Sequence, residues 1–291
     1  MRGGALLPVA SRSFPCWPST SSSASSPSSA SSTSSSSAGL TRTAADRGAA
    51  LVTGGGKRIG RAICLELARA GFDIVIHYRG SKDAAQAVAE EARALGRRAA
   101  TVQGDLSVEA QVHGVVPAAV GALGPLTVLV NNASVFEDDR VGSLGRETWD
   151  AHIETNLRAP IVLAEAFAAQ APDGSSIVNL LDQRVLKPDP RFFSYALSRN
   201  GLWWATRTMA QALAPRIRVN GVGPGPTLPS IHQSAEEFAA EGASVPLQKA
   251  GNPEAVAAAV RWLVEADLVT GQMIAVDGGQ HLAWQTPDIV E

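Results

Sequence analysis

Only two cysteines occur among the 291 residues, Cys16 and Cys64, so no disulfide framework is available and a reducing compartment is implied. No stretch reaches the roughly 18 consecutive apolar residues of a membrane span, and no membrane partner is expected. A formal charge of -2 leaves neither a basic footprint for nucleic acid nor a polyacidic tail. The five histidines are scattered without metal-ligand spacing, and no metal is expected. Acidic residues are missing before Asp46, and Ser19 to Ser37 is almost wholly Ser, Ala, Thr and Pro, a composition that cannot bury a core.

Residues 1–46 are therefore set aside as a disordered extension. Their acid-free, Ser-rich character with Arg2, Arg12 and Arg42 is also that of an organellar transit peptide. A clear amphipathic, Arg-bearing helix is lacking, so the expected location is the cytoplasm, with an organelle as the alternative. Residues 47–291 are expected to form one domain.

What is present begins at Leu51-Val-Thr-Gly-Gly-Gly-Lys-Arg-Ile-Gly-Arg-Ala62. Ala49 to Val52 reads as a short buried strand, and Ile59, Ile63 and Leu67 recur every four residues along a following helix that ends by Gly71. Glycines between strand and helix permit positive φ and close approach of a pyrophosphate to the helix's unpaired N–H groups. Strand two, Phe72 to Tyr78, ends without the carboxylate that favours NAD and offers His77, Tyr78, Arg79 and Ser81, which suit a 2′-phosphate and hence NADP(H).

The alternation then continues. Helix Lys82 to Leu95 stops at Gly96, strand Ala99 to Gln103 follows, and Ser107 is the expected N-cap of a helix reaching Leu123. Strand Leu126 to Val130 runs into Asn131-Asn132-Ala133-Ser134, then a loop over 135–147 and a helix from Thr148 to Ala169. Strand Ser176 to Leu181, helix Tyr195 to Ala214 and strand Ile217 to Asn220 come next, and 227–252 suits a substrate-covering lobe. Helix Pro253 to Val264 and strand Gln272 to Val276 close the domain. The predicted fold is α/β: a doubly wound parallel sheet of about seven strands, with its ligand at the strands' C-terminal edge.

Thr53-Gly54-x-x-x-Arg58-x-Gly60 resembles the T-G-x-x-x-G-x-G turn of the short-chain dehydrogenase/reductase family, with Arg58 where the middle glycine usually sits. The Asn131-Asn132-Ala133 turn is a second, more specific resemblance. Together they imply cofactor contacts at Gly54, Arg58, Ile59 and Gly60, at Asp105 and Leu106 beside adenine, and at Asn132, Ala133 and Ser134. Pro224, Gly225, Tyr195 and Arg199 complete that set.

The family works with an Asn, a Ser, a Tyr and a Lys, the last two as Y-x-x-x-K. The i, i+4 spacing puts cation and phenol on one helical face, where the charge lowers the phenol's pKa and the cation holds the ribose. Asn156 and Tyr195 match. Arg199 replaces the lysine, a planar guanidinium for a compact ammonium. Asp182, thirteen residues before Tyr195, replaces the serine. Aspartate there, Arg58 in the turn, Phe136 after the Asn-Asn-Ala turn and Asn220 to Gly225 after strand six resemble the pteridine reductase branch, over residues 47 to about 284.

That branch implies NADPH-dependent reduction of a pterin or dihydropterin, a small-molecule substrate. Tyr195 and Asp182 would manage the proton, Asn156 and Arg199 would organise ribose and water, and Arg58, Phe136, Asp182 and Tyr195 would touch the substrate. One alternative is a reductase of another carbonyl, such as a 3-oxoacyl compound; another is a weakly catalytic NADP-binding module, because of Arg199. Family members pair through the helices holding Asn156 and Tyr195, and Trp203 and Trp204 add apolar area there, so a homodimer or homotetramer is expected.

Overall fold

The computed structural model describes residues 47–229 and 233–284. The expectations for the Ser-rich segment and Cys16 lie outside the described residues.

Seven strands form one sheet: β1 (Ala49–Val52), β2 (Asp73–Tyr78), β3 (Ala99–Gln103), β4 (Leu126–Asn131), β5 (Ser175–Leu180), β6 (Ile217–Pro224) and β7 (Met273–Val276). Their order is β3-β2-β1-β4-β5-β6-β7, and every pairing is parallel. Alternate side chains feed opposite faces. Ala50, Val52, Ile74, Ile76, Val128 and Val130 enter one apolar cluster, and Ala49, Leu51, Val75, Leu129 and Ile177 enter the other. Helices α1 (Arg58–Arg69) and α2 (Lys82–Ala94) cover the first face, sending in Ile63, Leu67, Val88 and Ala92. Helix α3 (Glu109–Leu123) packs on the second through Val112, Val115 and Val116. Each fully buried Leu or Ile there stabilises the fold by about 1.5–3 kcal/mol.

Several boundaries differ from those read off the sequence. Ser107 does not cap α3: the N-cap is Val108, and the Ser107 hydroxyl donates to Asp105 Oδ1 at 2.7 Å. The helix expected over 148–169 is three pieces, α4 (Arg146–Ile153), a π-helical turn (Glu154–Arg158) and α5 (Ala159–Gln170). Pro160 has no N–H to offer the Asn156 carbonyl four residues back, so the ladder shifts register, and the Ala159 N–H bonds Glu154 instead. Strand β6 continues four residues past Asn220, through Pro224, because β7 pairs with Gly221 to Pro224. Within the expected lobe stands α7 (Ala235–Ser244), opened by a Ser234/Glu237 capping box. Helix α6 (Phe193–Leu213) carries Tyr195 and Arg199, and α8 (Pro253–Glu265) is N-capped by Asn252. On α6 Trp204 is 67% exposed while Trp203 is half-buried.

Strand order reverses between β1 and β4, and their loops diverge to leave a crevice. Thr53 latches its two rims. Its Oγ1 accepts the N–H groups of Asn132 (2.9 Å) and Ala133 (3.0 Å), and Asn132 Nδ2 donates to the carbonyls of Thr53 (2.9 Å) and Gly54 (3.2 Å).

Candidate active site

Two adjoining cavities open along this edge of the sheet, of about 400 Å³ and about 790 Å³, sharing Arg58, Ile59, Asn132 and Ser134 in their walls. The smaller is walled at one end by the glycine turn and the start of α1, whose first N–H groups have no partner within the helix. Gly54, Ala133, Arg79, Asp105 and Leu106 also line it, whereas Tyr78 packs into the core and Ser81 precedes α2, neither reaching either cavity. Pro224 and Gly225 line the larger cavity.

Arg58 of the turn and His77 of β2 both line the smaller cavity, and protein groups hold each of them. Arg58 sits at φ 51, the conformation a glycine would take without strain, and its Nη2 crosses to the Pro229 carbonyl at 3.0 Å. His77, in that same wall, is 2% exposed. Its Nδ1 accepts the Gly54 N–H at 3.2 Å and its Nε2 pairs with the Gly104 carbonyl at 3.0 Å, so both ring nitrogens are taken and the proton lies on Nε2. Burial pushes this imidazole down to about 4 from an ordinary 6.5.

A depressed histidine binds its proton more readily in the unfolded chain. The stability it confers is therefore complete above pH 6.5 and is lost as pH falls through about 4, some 3 kcal/mol in all. Melting curves of the wild type should drop more steeply across that window than those of His77→Asn, whose amide oxygen can still accept from Gly54. Parallel curves would show that His77 contributes nothing to acid sensitivity.

In the larger cavity the chemistry-bearing groups converge. Asp182, just past β5, and Tyr195, in the first turn of α6, meet with the phenol donating to Asp182 Oδ2 at 2.9 Å. Asp182 Oδ1 accepts the Arg184 N–H at 2.8 Å, and Arg184 Nη1 lies 3.3 and 3.2 Å from the two carboxylate oxygens. Arg199 is 2% exposed, donates to the Leu180 carbonyl at 3.0 Å and holds its guanidinium carbon 5.2 Å from the Tyr195 ring centre. The expectation that the cation would lower the phenol is reversed in sum: burial and the Asp182 charge push Tyr195 above its ordinary value, and Arg199 offsets only part of this. Tyr195 thus keeps its proton at neutral pH.

Phe136 stands edge-on to Tyr195 with ring centres 4.7 Å apart, and is itself stacked on Phe192 at 4.3 Å. The Arg184 guanidinium lies 5.8 and 5.4 Å from these two rings. Asn156 does something other than expected with its side chain. Both amide atoms are spent at 2.9 Å on the backbone of Val135, with Ser198 Oγ at 3.3 Å, so the side chain steadies the Phe136 loop instead of facing ribose or water. Phe192 and Arg184 were not singled out from the sequence; adjacency of Arg184 to Asp182 was the one available signal.

A doubly wound parallel sheet with a glycine turn at its switch point and a buried Tyr–Asp pair beside the cleft defines an NADP-dependent oxidoreductase. Residues 54–281 match the family model described as enoyl-(acyl carrier protein) reductase. A 3-oxoacyl-[acyl-carrier-protein] reductase of Staphylococcus epidermidis is 31% identical over 240 residues, covering 80% of this chain and 98% of that protein. The crystal structure of FolM alternative dihydrofolate reductase 1 from Brucella canis, complexed with NADP, superposes with a TM-score of 0.81 at 48% identity, over 85% of this chain and 98% of that one. A blue fluorescent protein from a metagenomic library, in complex with NADPH, gives a TM-score of 0.75 at 35% identity, over 80% and 98%. The chain belongs to the short-chain dehydrogenase/reductase family, and its FolM-like neighbour fits the pteridine reductase-like branch. Among the described residues no helix is long and apolar enough to cross a membrane.

Proposed function

We propose that this chain uses NADPH to reduce a C=N bond of a pterin or dihydropterin. The observation that carries the reading is the Tyr195 hydroxyl on Asp182 at 2.9 Å, inside a cavity walled by stacked aromatic rings. A ketone oxygen only accepts hydrogen bonds, and a carboxylate at this place would repel it where a serine hydroxyl would donate. A reduced pterin carries N–H groups in the same flat ring system as the imine nitrogen being protonated. Asp182 accepts from such an N–H while Tyr195 donates to the lone pair of the nitrogen being protonated, and the flat ring lies against Phe136. Similarity to FolM alternative dihydrofolate reductase 1 supports the same substrate class.

The cofactor's residues fit it. The N–H groups at the start of α1 border the smaller cavity and would receive the pyrophosphate, Gly60 lets that helix start lie against the Gly54 carbonyl, and Arg79 in the same wall would supply a cation for a 2′-phosphate. Bound NADPH supplies the hydride. The protein's part is to deliver a proton from the Tyr195 hydroxyl to the substrate nitrogen, to hold the resulting phenolate beside Arg199, and to keep the substrate's N–H edge on Asp182.

Likeness to 3-oxoacyl reductases favours a second reading, reduction of a carbonyl. NADPH absorbance with a panel of dihydropterins and 3-oxoacyl thioesters separates the two; turnover of the thioesters alone would discard the pterin assignment. Asp182→Ser sharpens it. Loss of a charge-assisted hydrogen bond should lower kcat/KM for the dihydropterin by about 10- to 100-fold and leave or raise any carbonyl turnover.

A further inference from the structure

Behind the larger cavity lies a buried polar cluster that the chemistry above does not employ. His152 near the end of α4 and Ser194 directly before Tyr195 are fully buried, and Asp139, three residues past Phe136, is 5% exposed. None of the three lines either cavity. The Glu137 N–H donates to His152 Nε2 at 3.1 Å, so that nitrogen carries the lone pair and the proton sits on Nδ1. Nδ1 then donates to Ser194 Oγ at 2.7 Å, the Ser194 hydroxyl donates to Asp139 Oδ2, and Asp139 Oδ1 accepts the Ser194 N–H at 3.0 Å. The Phe193 N–H closes the loop on the Asp139 carbonyl at 3.1 Å.

This direction of donation rules out an activated serine, because the Ser194 proton faces a carboxylate and not an imidazole lone pair. What the cluster does is mechanical. It fastens the backbone just after Phe136 to the residue just before Tyr195, with the His152 ring 5.9 Å from the Tyr195 ring. We infer that His152 is a positioning residue that sets the spacing between Phe136 and Tyr195, and with it the seat of the substrate. This rests on the proposed reading only in taking those two side chains as the substrate's walls.

Only a neutral imidazole can accept from Glu137; a protonated one would set two donors against each other. Burial pushes His152 down and Arg199 adds to this, while Asp139 and Glu137 pull it back. The surroundings on balance favour the form the clamp needs.

The two halves of the clamp can be cut separately. In His152→Asn the amide nitrogen takes the place of Nδ1 and serves Ser194, but nothing reaches Glu137. In His152→Gln the amide oxygen takes the place of Nε2 and keeps Glu137. The Asn variant is expected to raise the substrate KM about tenfold, the Gln variant to stay within about threefold of wild type, and both to bind NADPH within about twofold of it. Equal KM values for the two variants, or an NADPH Kd rising in step with KM, would overturn the inference. Should His152→Asn not fold, Ser194→Ala, which also removes the hydroxyl's bond to Asp139 and so parts the Phe136 loop from α6, is expected to give the same rise in KM, and an unchanged KM would be decisive against it. The wild-type protein keeps the two claims apart. Absence of dihydropterin turnover sinks the pterin reading alone, and the KM comparison is then made with a 3-oxoacyl thioester, for which the clamp predicts the same split.

Discussion

Tyr195→Phe is expected to lower kcat for the reducible substrate about a thousandfold, within the range that removal of a positioned proton donor commands. The ring's place is preserved, because Phe136 meets it edge-on and the Arg199 guanidinium lies over it, contacts that need no hydroxyl. NADPH affinity and melting temperature should therefore change little. The effect belongs to the proton and not to packing. Burial and Asp182 both raise the phenol, so the wild-type hydroxyl remains protonated and acts as an acid. Turnover in the reducing direction should accordingly hold level from about pH 7 up to the ordinary phenol value of about 10, with no limb from phenol ionisation. Stopped-flow measurement of hydride transfer checks both points. A variant retaining a tenth or more of wild-type kcat would remove Tyr195 from the proton path and leave Asp182 to be tested in its place.

The parts of the molecule that are legible in the sequence rest on local periodicity or on a motif that the family resemblance supplies. The parallel, doubly wound order follows from the alternation of strand and helix, and the family resemblance, which sets Asp182 thirteen residues before Tyr195, pairs two groups that the fold places at 2.9 Å. Strand β6 was cut short because Gly221-Val222-Gly223-Pro224 has the composition of a loop. It is strand because a Cβ on Gly221 would strike the Leu181 side chain, so glycine is what lets the two segments lie so close. The bonding of His77 is not legible for a different reason. Polar character at a strand's end does not reveal which way the side chain turns, and this one turns inward to hold Gly54 and Gly104. The clamp of His152, Ser194 and Asp139 is built across sequence separations of 42 and 55 residues, and no motif announces such partners.

Gly60→Ala is expected to raise the NADPH Kd about a hundredfold or more, although an alanine inside a helix ordinarily gains up to about 1 kcal/mol over glycine. Here the neighbours decide the sign. A Cβ on Gly60 would run into the Gly54 carbonyl oxygen and come within 2.6 Å of Asn132 Nδ2, two groups hydrogen-bonded to each other across the β1 and β4 loops. Both are fixed, since Asn132 also holds Thr53 and the Gly54 N–H is held by His77. The clash is therefore relieved by moving the start of α1, the group of N–H donors that must stay in place for a pyrophosphate. Gly114→Ala supplies the contrast: on α3 nothing lies within 4 Å of its added methyl, and it should stabilise the fold by roughly 0.5–1 kcal/mol with NADPH binding unchanged. Fluorescence titration with NADPH alongside melting curves compares the two. If Gly60→Ala binds NADPH within about twofold of wild type, the turn has room to spare, and the close approach assigned to Gly60 is wrong.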